Sequence, residues 1–230
     1  MKKAIIGTLI GTMSMFFIGL NCIGDEIFNI DFAKGDFKKF DLQVEGDWDI
    51  HDYKAANNNP GLVARFPANK APGKIVKKFP ELKDPKQLKL SIGIGWGWGN
   101  ADQGADVIEF ALLNEEGNGY VFHIRRVNAN WAIQWATVEN NAIPKDKNWA
   151  PEAINCNQPA IIDGGGLENL LITREKGGKW TIFCQKWNNG QGGTVKFEDK
   201  TTTSFNQVVL FGTNNFDEQA FNNIILEVNK

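Results

Sequence analysis

Residues 87–113 read QLKLSIGIGWGWGNADQGADVIEFALL, and this stretch carries the clearest structural pattern in the chain. Every second residue from Leu88 to Trp96 is apolar, which predicts a β-strand with one face on a core. The opposite face carries two glycines, and glycine inside a strand usually marks a bulge or the close approach of another group. A second alternating strand follows at residues 107–114, so we expect a hairpin with a bulky core face and a nearly bare outer face.

The segment between these two predicted strands holds Trp98, Asn100 and Asp102. An indole among amide and carboxylate groups, at the mouth of an open sheet face, suits a flat ligand rich in hydroxyl groups. The glycines here do not form a phosphate loop, because no Gly-Lys-Ser/Thr sequence and no helix pattern follow them. We therefore expect the hairpin to carry part of a ligand groove.

The first 24 residues have the features of a secretory signal. Lys2 and Lys3 precede an apolar run, and Cys22 and Gly24 are small residues at positions −3 and −1 of a cleavage site. The favoured interpretation is cleavage after Gly24, export to the periplasm or the extracellular space, and one mature domain of residues 25–230. The alternative is a lipoprotein signal with Cys22 acylated. A retained span is disfavoured, because the apolar run is short for crossing a bilayer.

The composition limits the classes of partner and site. After signal removal Lys+Arg falls from 25 to 23 against 27 Asp+Glu, a net charge of about −4 (23 − 27), which argues against nucleic acid or an anionic membrane as partner. The only histidines are His51 and His123, too few for a histidine-rich metal site. Cys156 and Cys184 remain, and an even pair in an exported chain predicts a disulfide, with two separate buried thiols as the alternative.

Strand-like runs separated by Gly, Asn, Asp and Pro recur along the mature chain, and no segment has a helical period of useful length. This pattern predicts an all-β sandwich or barrel, with Trp48 and Trp180 in its core. The predicted strands cover residues 28–32, 40–45, 48–52, 62–66, 74–79, 88–96, 107–114, 120–127, 131–139, 170–174, 180–186, 194–198, 208–211 and 221–228.

One long interruption, residues 140–166, separates two groups of predicted strands. A connection of this length inside a compact domain is usually functional or tied down. A bridge between Cys156 and Cys184 would pin it and stabilise the fold by about 3–4 kcal/mol on the loop-entropy model. Trp149 in this segment is a further candidate for ligand contact, and the alternative is that its ring anchors the loop.

Three stretches carry a family resemblance: DFAKGDFKKFDLQVEGDWDIHD (31–52), NGYVFHIRR (118–126) and AFNNIILEV (220–228). They are similar to the first strands, a middle strand and the closing strand of concanavalin A-like lectin/glucanase jelly rolls of exported bacterial proteins. The resemblance spans nearly the whole mature chain and implies a two-sheet antiparallel β-sandwich, a jelly roll, whose concave face often binds glycans. Members include lectins, carbohydrate-binding modules, glycoside hydrolases and polysaccharide lyases, so fold alone does not decide the activity.

A meander of four strands over residues 88–139 would place odd-numbered side chains together on one outer face, beside Ser91 and the glycines. On the fourth strand, Gln134 joins this groove if Trp131 and Trp135 point inward; otherwise the tryptophans line it. Acid, imidazole, guanidinium and amide groups bind sugar hydroxyls, and an indole packs on the apolar face of the ring. The predicted glycan contacts are Trp96, Trp98, Asn100, Asp102, Glu109, His123, Arg125, Gln134 and Trp149. The alternative is that Glu109 and Arg125 form an ordinary cross-strand ion pair on a solvated face.

No catalytic residues are predicted. A retaining glycosidase needs two carboxylates about 5–5.5 Å apart, but Asp106 and Glu109 are three residues apart on a strand and point to opposite faces. The Gln-x-His pair of lyases with this fold is absent, because Val121 stands two residues before His123. No Gly-x-Ser-x-Gly turn for a nucleophilic serine is present either.

The resemblance also implies a structural calcium ion between the chain's start and its closing strands. Asp25, Glu26 and Asp217 are oxygen ligands in those regions, and no other cofactor is expected. We expect an exported, non-catalytic domain that binds a polysaccharide or oligosaccharide. The alternatives are a glycan-cleaving enzyme of the same fold, either a glycoside hydrolase or a polysaccharide lyase, and a structural envelope protein without a ligand.

Overall fold

The computed structural model describes residues 24–52, 62–96, 107–127, 130–143, 166–184, 193–213 and 218–229. Throughout these ranges the regular elements are β-strands, and they include no helix that could span a membrane. The strands are β1 (Asp25–Ile30), β2 (Gln43–Glu45), β3 (Asp49–Asp52), β4 (Leu62–Phe66), β5 (Gly73–Lys83), β6 (Gln87–Trp96), β7 (Val107–Leu113), β8 (Gly119–Val127), β9 (Asn130–Val138), β10 (Gly166–Glu175), β11 (Lys179–Cys184), β12 (Gly193–Glu198), β13 (Ser204–Gly212) and β14 (Gln219–Asn229).

The strands form two antiparallel sheets. Sheet A has the order β12-β11-β10-β6-β14-β4-β3, with β1 also paired to β14, and sheet B has the order β2-β5-β13-β7-β8-β9. Each of the fourteen predicted strands overlaps one observed strand. The predicted all-β, two-sheet antiparallel jelly-roll sandwich is confirmed.

The core lies between the sheets and is built from the inward half of the period-two pattern. On β6 the inward residues are fully buried: Leu88, Leu90, Ile92 and Ile94. Trp180 of sheet A packs against Tyr120 of sheet B, with ring centroids 4.5 Å apart. Trp48 and Trp180 are 8% and 1% exposed, so both predicted core tryptophans are confirmed.

The predicted hairpin between β6 and β7 is wrong. β6 lies inside sheet A between β10 and β14, whereas β7 lies in sheet B between β13 and β8. The chain changes sheet between Trp96 and Val107, which reduces the predicted four-strand meander to β7-β8-β9. Alternation of side chains reports which face of a strand is buried but not which strand lies beside it, and successive strands are neighbours only about two-thirds of the time.

The bare outer face of β6 at Gly93 is explained by the strand beside it. β14 has a bulge between Asn222 and Ile224, where Asn223 has a φ of 33°. A Cβ on Gly93 would lie 2.8 Å from the Asn222 carbonyl oxygen. Glycine at this position therefore admits the bulged strand, which is one of the two roles that a glycine inside a strand indicates.

Candidate functional site

Three polar side chains form a row across sheet B. Glu109 of β7 lies opposite His123 of β8, which lies opposite Gln134 of β9. Phe110 follows Glu109 on β7, and Phe122 precedes His123 on β8. Both phenylalanines are buried in the core, so Glu109 and His123 point to the outer face. The predicted common face of these two residues is confirmed.

The orientation of β9 decides between the two arrangements that the sequence left open. Trp135 points inward, because its ring stacks on Phe197 of sheet A with centroids 3.8 Å apart and an interplanar angle of 11°. Ile133 also belongs to the core and is 1% exposed. Since neighbours along a strand alternate between faces, Gln134 lies on the outer side with Glu109 and His123.

Glu109 and His123 are in direct contact. The Glu109 Oε1 atom lies 3.0 Å from His123 Nδ1, and the two side chains are 15% and 9% exposed. A carboxylate on Nδ1 fixes the orientation of an imidazole ring. Because a carboxylate offers about four lone-pair sites, this contact leaves Glu109 with capacity to accept further hydrogen bonds.

The same row continues onto residues that sequence analysis missed. Phe211 of β13 lies opposite Glu109, Lys74 of β5 lies opposite Phe211, and Glu45 of β2 lies opposite Lys74. The Lys74 Nζ atom is 3.3 Å from the Glu45 carboxylate. Residues 208–211 are an uninterrupted apolar run, so the sequence pattern does not mark Phe211 as an outer-face aromatic. Only the insertion of β13 between β5 and β7, strands remote in sequence, places that ring beside Glu109.

The polar row is bordered by an apolar one. Directly opposed residues on five neighbouring strands of sheet B have small apolar side chains that are 0–7% exposed: Val76, Val209, Ala111, Val121 and Ala136. Phe211 packs against this cluster. The outer side of sheet B therefore combines hydrogen-bonding groups with a second, small apolar cluster, against which Ile143 also packs. Polar groups beside apolar side chains are the mixture found in sites that bind small polar ligands.

The remaining predicted contacts, Trp96 apart, are one residue on β8 and four residues outside the described ranges. Arg125 lies on β8 two residues beyond His123, where it pairs with Val107 and Ala132. Four predicted residues lie outside the described part of the chain: Trp98, Asn100, Asp102 and Trp149.

Trp96 and the glycine-rich face of β6 do not join the row. Trp96 ends β6 in sheet A, where it pairs with Gly166 and Gln219. Ser91, expected in the floor of the groove, pairs with strands of the same sheet. The prediction that this face is continuous with Glu109 is wrong, because β6 and β7 belong to different sheets.

The predicted disulfide and calcium sites fall only partly on the described residues. Cys184 ends β11 and is buried, and Cys156 lies outside the described ranges, so the bridge stays a prediction. Asp25 and Glu26 begin β1 beside the closing strand β14, but Asp217 is also outside. Within the described residues, no three His, Cys, Asp or Glu side chains are grouped to hold a metal ion. The calcium site stays a prediction as well.

A second polar cluster lies at one end of the sandwich and has a structural character. Arg174 of β10 is 0% exposed, and its guanidinium carbon lies 5.9 Å and 5.7 Å from the ring centroids of Trp180 and Phe205. Its Nη1 atom donates a hydrogen bond of 3.1 Å to Asp84 Oδ1. The ion pair and the two rings together offset part of the cost of burying the charge.

Tyr120 of β8 forms hydrogen bonds with the segment between β12 and β13. Its hydroxyl donates to Asp199 Oδ1 at 2.6 Å and accepts from the Thr202 amide at 3.3 Å. Burial, with the Asp199 carboxylate adding to it, raises the pKa of Tyr120, so the hydroxyl stays a donor. Burial alone would raise the pKa of Asp199, but hydrogen bonds from Tyr120 and the Thr201 amide outweigh it and hold that pKa below its usual value.

Comparison with known proteins gives matches in structure but not in sequence. Neither a scan of protein-family models nor a search of curated proteins finds a match for this chain. A carbohydrate esterase, vb_24B_21, from Shiga toxin-encoding bacteriophage phi24B matches with a TM-score of 0.59 at 12% identity, over 90% of this chain and 100% of that one.

Two further structures match over similar lengths. The carbohydrate recognition domain of Emp46p has a TM-score of 0.60 at 9% identity, over 88% of this chain and 95% of its own. The CBM2 module of the evolved Dit of Lactobacillus casei BL23 phage J-1 has a TM-score of 0.58 at 13% identity, over 90% of this chain and 97% of its own. At such identities the likeness concerns the fold, and it confirms the fold that the sequence resemblance implied.

Proposed function

Because this chain has the fold of the concanavalin A-like lectin/glucanase jelly rolls, we propose that it is an exported, lectin-like domain that binds a polysaccharide or oligosaccharide. Its glycan site is the outer face of sheet B, which we assign as the concave sheet. Two of the compared structures, the Emp46p domain and the CBM2 module, are by name sugar-recognition domains. The observation that carries the proposal is the row of Glu109, His123 and Gln134.

The chemistry of this row matches that of a sugar. Glu109 accepts hydrogen bonds from hydroxyl groups, and Gln134 both donates and accepts. The contact between Glu109 and His123 fixes the carboxylate in one orientation, which lowers the entropy lost when a ligand binds. Phe211, opposite Glu109 and half-buried, offers an apolar ring to the apolar face of a pyranose.

The distance between the two carboxylates of this row supports a protein that binds a glycan without cleaving it. The other carboxylate of the row, Glu45, lies three strands from Glu109, which is about 14 Å at about 4.8 Å per strand. Paired carboxylates of glycosidases stand about 5–5.5 Å apart in retaining enzymes and about 6.5–9.5 Å apart in inverting ones. Glu109 and Glu45 therefore do not form such a pair.

One observation favours the second candidate, an enzyme that cleaves a glycan. The contact of 3.0 Å between Glu109 and His123 is a carboxylate–imidazole pair, an arrangement that serves general acid–base chemistry as well as binding. An enzyme of this kind would use His123 to move a proton and Glu109 to hold the imidazole ring in place.

Electrophoresis of residues 25–230 through gels that contain a panel of soluble polysaccharides tests the proposal. Each polysaccharide is also incubated with the protein and assayed for new reducing ends. Retardation without sugar release is the expected result, and release would favour the enzyme. Migration unaffected by every polysaccharide, with no release, would favour a structural protein without a glycan ligand.

Glu109→Gln is the matched variant for this experiment. The glutamine keeps the shape and an acceptor for His123 but removes the charge. A hydrogen bond to a charged group is worth about 1 kcal/mol more than one between neutral groups, so affinity should fall about fivefold. An unchanged melting temperature would show that the loss concerns the site and not the fold.

A further inference from the structure

The last strand of sheet A has a free edge. In the described part of the chain, β12 ends sheet A and pairs only with β11. The amide of Asp199, the residue after β12, donates a hydrogen bond of 2.8 Å to the Gly178 carbonyl, on the β11 side. Because backbone groups alternate between the two sides of a strand, the amides and carbonyls of Thr194, Lys196 and Glu198 point away from β11. This edge can therefore accept another strand.

The side chains along this edge are charged and exposed. On β12 the exposed residues Thr194, Lys196 and Glu198 alternate with buried Val195 and Phe197. A lysine on an edge strand usually hinders pairing with other chains. Here a lysine and a glutamate stand two residues apart on the same face, so the strand is complementary in charge to an antiparallel copy of itself.

The charges select one register among the two-fold axes that pass through β12. With the axis at Phe197, Lys196 of each copy lies opposite Glu198 of the other, so both pairs join opposite charges. An axis at Lys196 would set two lysines opposite each other, and an axis at Glu198 would do the same with two glutamates. An axis at Val195 would leave Lys196 opposite a threonine. The register centred on Phe197 is therefore the favoured one.

We propose that β12 is a dimer interface, at which a second copy of this chain extends sheet A in antiparallel pairing with Phe197 on the two-fold axis. Backbone hydrogen bonds join Lys196 of each copy to Glu198 of the other, and their side chains form two ion pairs on the outer face. On the inner face the two Phe197 side chains meet, each stacked on Trp135 of its own sandwich with ring centroids 3.8 Å apart.

The symmetry of this dimer has a consequence for ligand binding. A two-fold axis perpendicular to sheet A keeps the outer faces of both copies of sheet B on the same side. A dimer would therefore present two copies of the proposed glycan site to one polysaccharide chain, which raises the overall affinity without any new contact. The interface itself goes beyond the proposed function and does not depend on it.

Sedimentation velocity of residues 25–230, without any glycan, tests the interface with three charge reversals. Lys196→Glu and Glu198→Lys each set like charges opposite each other at both pairs, so each variant alone should have a dissociation constant at least about tenfold above that of wild type. Lys78→Glu is the control, because Lys78 is exposed on β5 of sheet B and its reversal changes the net charge by the same amount as Lys196→Glu. The control should dimerise as wild type does.

A mixture of the two single variants distinguishes this register from a general effect of charge. In a heterodimer of Lys196→Glu with Glu198→Lys, both pairs again join opposite charges, so the mixture should dimerise as wild type does. A wild type that stays monomeric refutes the interface, and so does a dimer that both single reversals leave intact. Reversals that dissociate the dimer without recovery in the mixture refute the proposed pairing. Because no glycan is present, none of these outcomes bears on the glycan site of sheet B.

Discussion

The ion pair between buried Arg174 and partly exposed Asp84, at one end of the sandwich, tests how the fold is stabilised. Arg174 is 0% exposed, and its hydrogen bond to Asp84 spans 3.1 Å. Asp84→Asn removes the counter-charge and keeps a side chain that tolerates the positive φ of 38° at this position. Arg174→Met removes the buried charge and leaves an apolar side chain between the same two rings.

The two substitutions should differ in their effect on the free energy of unfolding: Asp84→Asn should lower it, and Arg174→Met should not. Removing one partner of a fully buried pair typically costs about 3–5 kcal/mol, because the other charge stays buried without compensation. The Asp84 side chain is 36% exposed, so water offsets part of that loss and we expect about 2 kcal/mol. For a chain of this size that lowers the melting temperature by about 4–8 °C. Arg174→Met should be neutral or stabilising by about 1–4 kcal/mol.

Urea unfolding of wild type, both single variants and the double variant measures these values. The double variant should be more stable than Asp84→Asn alone, because it contains no buried charge. Equal stability of wild type and Asp84→Asn would refute the reasoning. A loss of stability in Arg174→Met as large as that in Asp84→Asn would refute it too, because the guanidinium would then be a net contributor through its ring contacts.

Three further predictions concern the fold. Gly93→Ala should cost about 1–3 kcal/mol by overpacking against the Asn222 carbonyl, 2.8 Å from the new methyl group; urea unfolding indistinguishable from wild type would contradict the bulge. Trp48→Ala should lower the free energy of unfolding by about 3–5 kcal/mol, and a melting temperature near that of wild type would contradict the place of Trp48 in the core. Because the pKa of Asp199 is lowered by folding, its contribution to stability is complete above the ordinary value of 3.8 and is lost as pH falls through the folded-state value. Asp199→Asn should flatten this acid-side loss, and Tyr120→Phe should reduce it; unchanged acid titrations of stability in both would contradict the assignment.

The strands and their buried faces could be predicted from the sequence, because alternation is a local property. Period two over the strand predicted at residues 107–114 puts Ile108 and Phe110 on the same face, and both are 0% exposed. The partner of β6 could not be predicted in the same way. The alternation along β6 is compatible with a hairpin to β7 as well as with its observed place between β10 and β14. The bulge in β14 that explains Gly93 lies about 130 residues further along the chain.

The candidate site was predicted in part for the same reason. Glu109 and His123 lie on consecutive strands joined by a short turn, so their common face follows from parity and pairing. Phe211 and Lys74 come from strands far away in sequence, and their place beside Glu109 depends on the order of sheet B. The orientation of β9 depended on Trp135, whose inward position is set by its stacking on Phe197 of the opposite sheet.

The most direct test of the proposed glycan site is nuclear magnetic resonance of isotope-labelled residues 25–230 during titration with fragments of a polysaccharide that retards the protein. The proposal predicts saturable shifts of the Gln134 side-chain amide and the His123 ring signals, with one dissociation constant shared by both. Saturable binding of the glycan that leaves both sets of signals unmoved would contradict it.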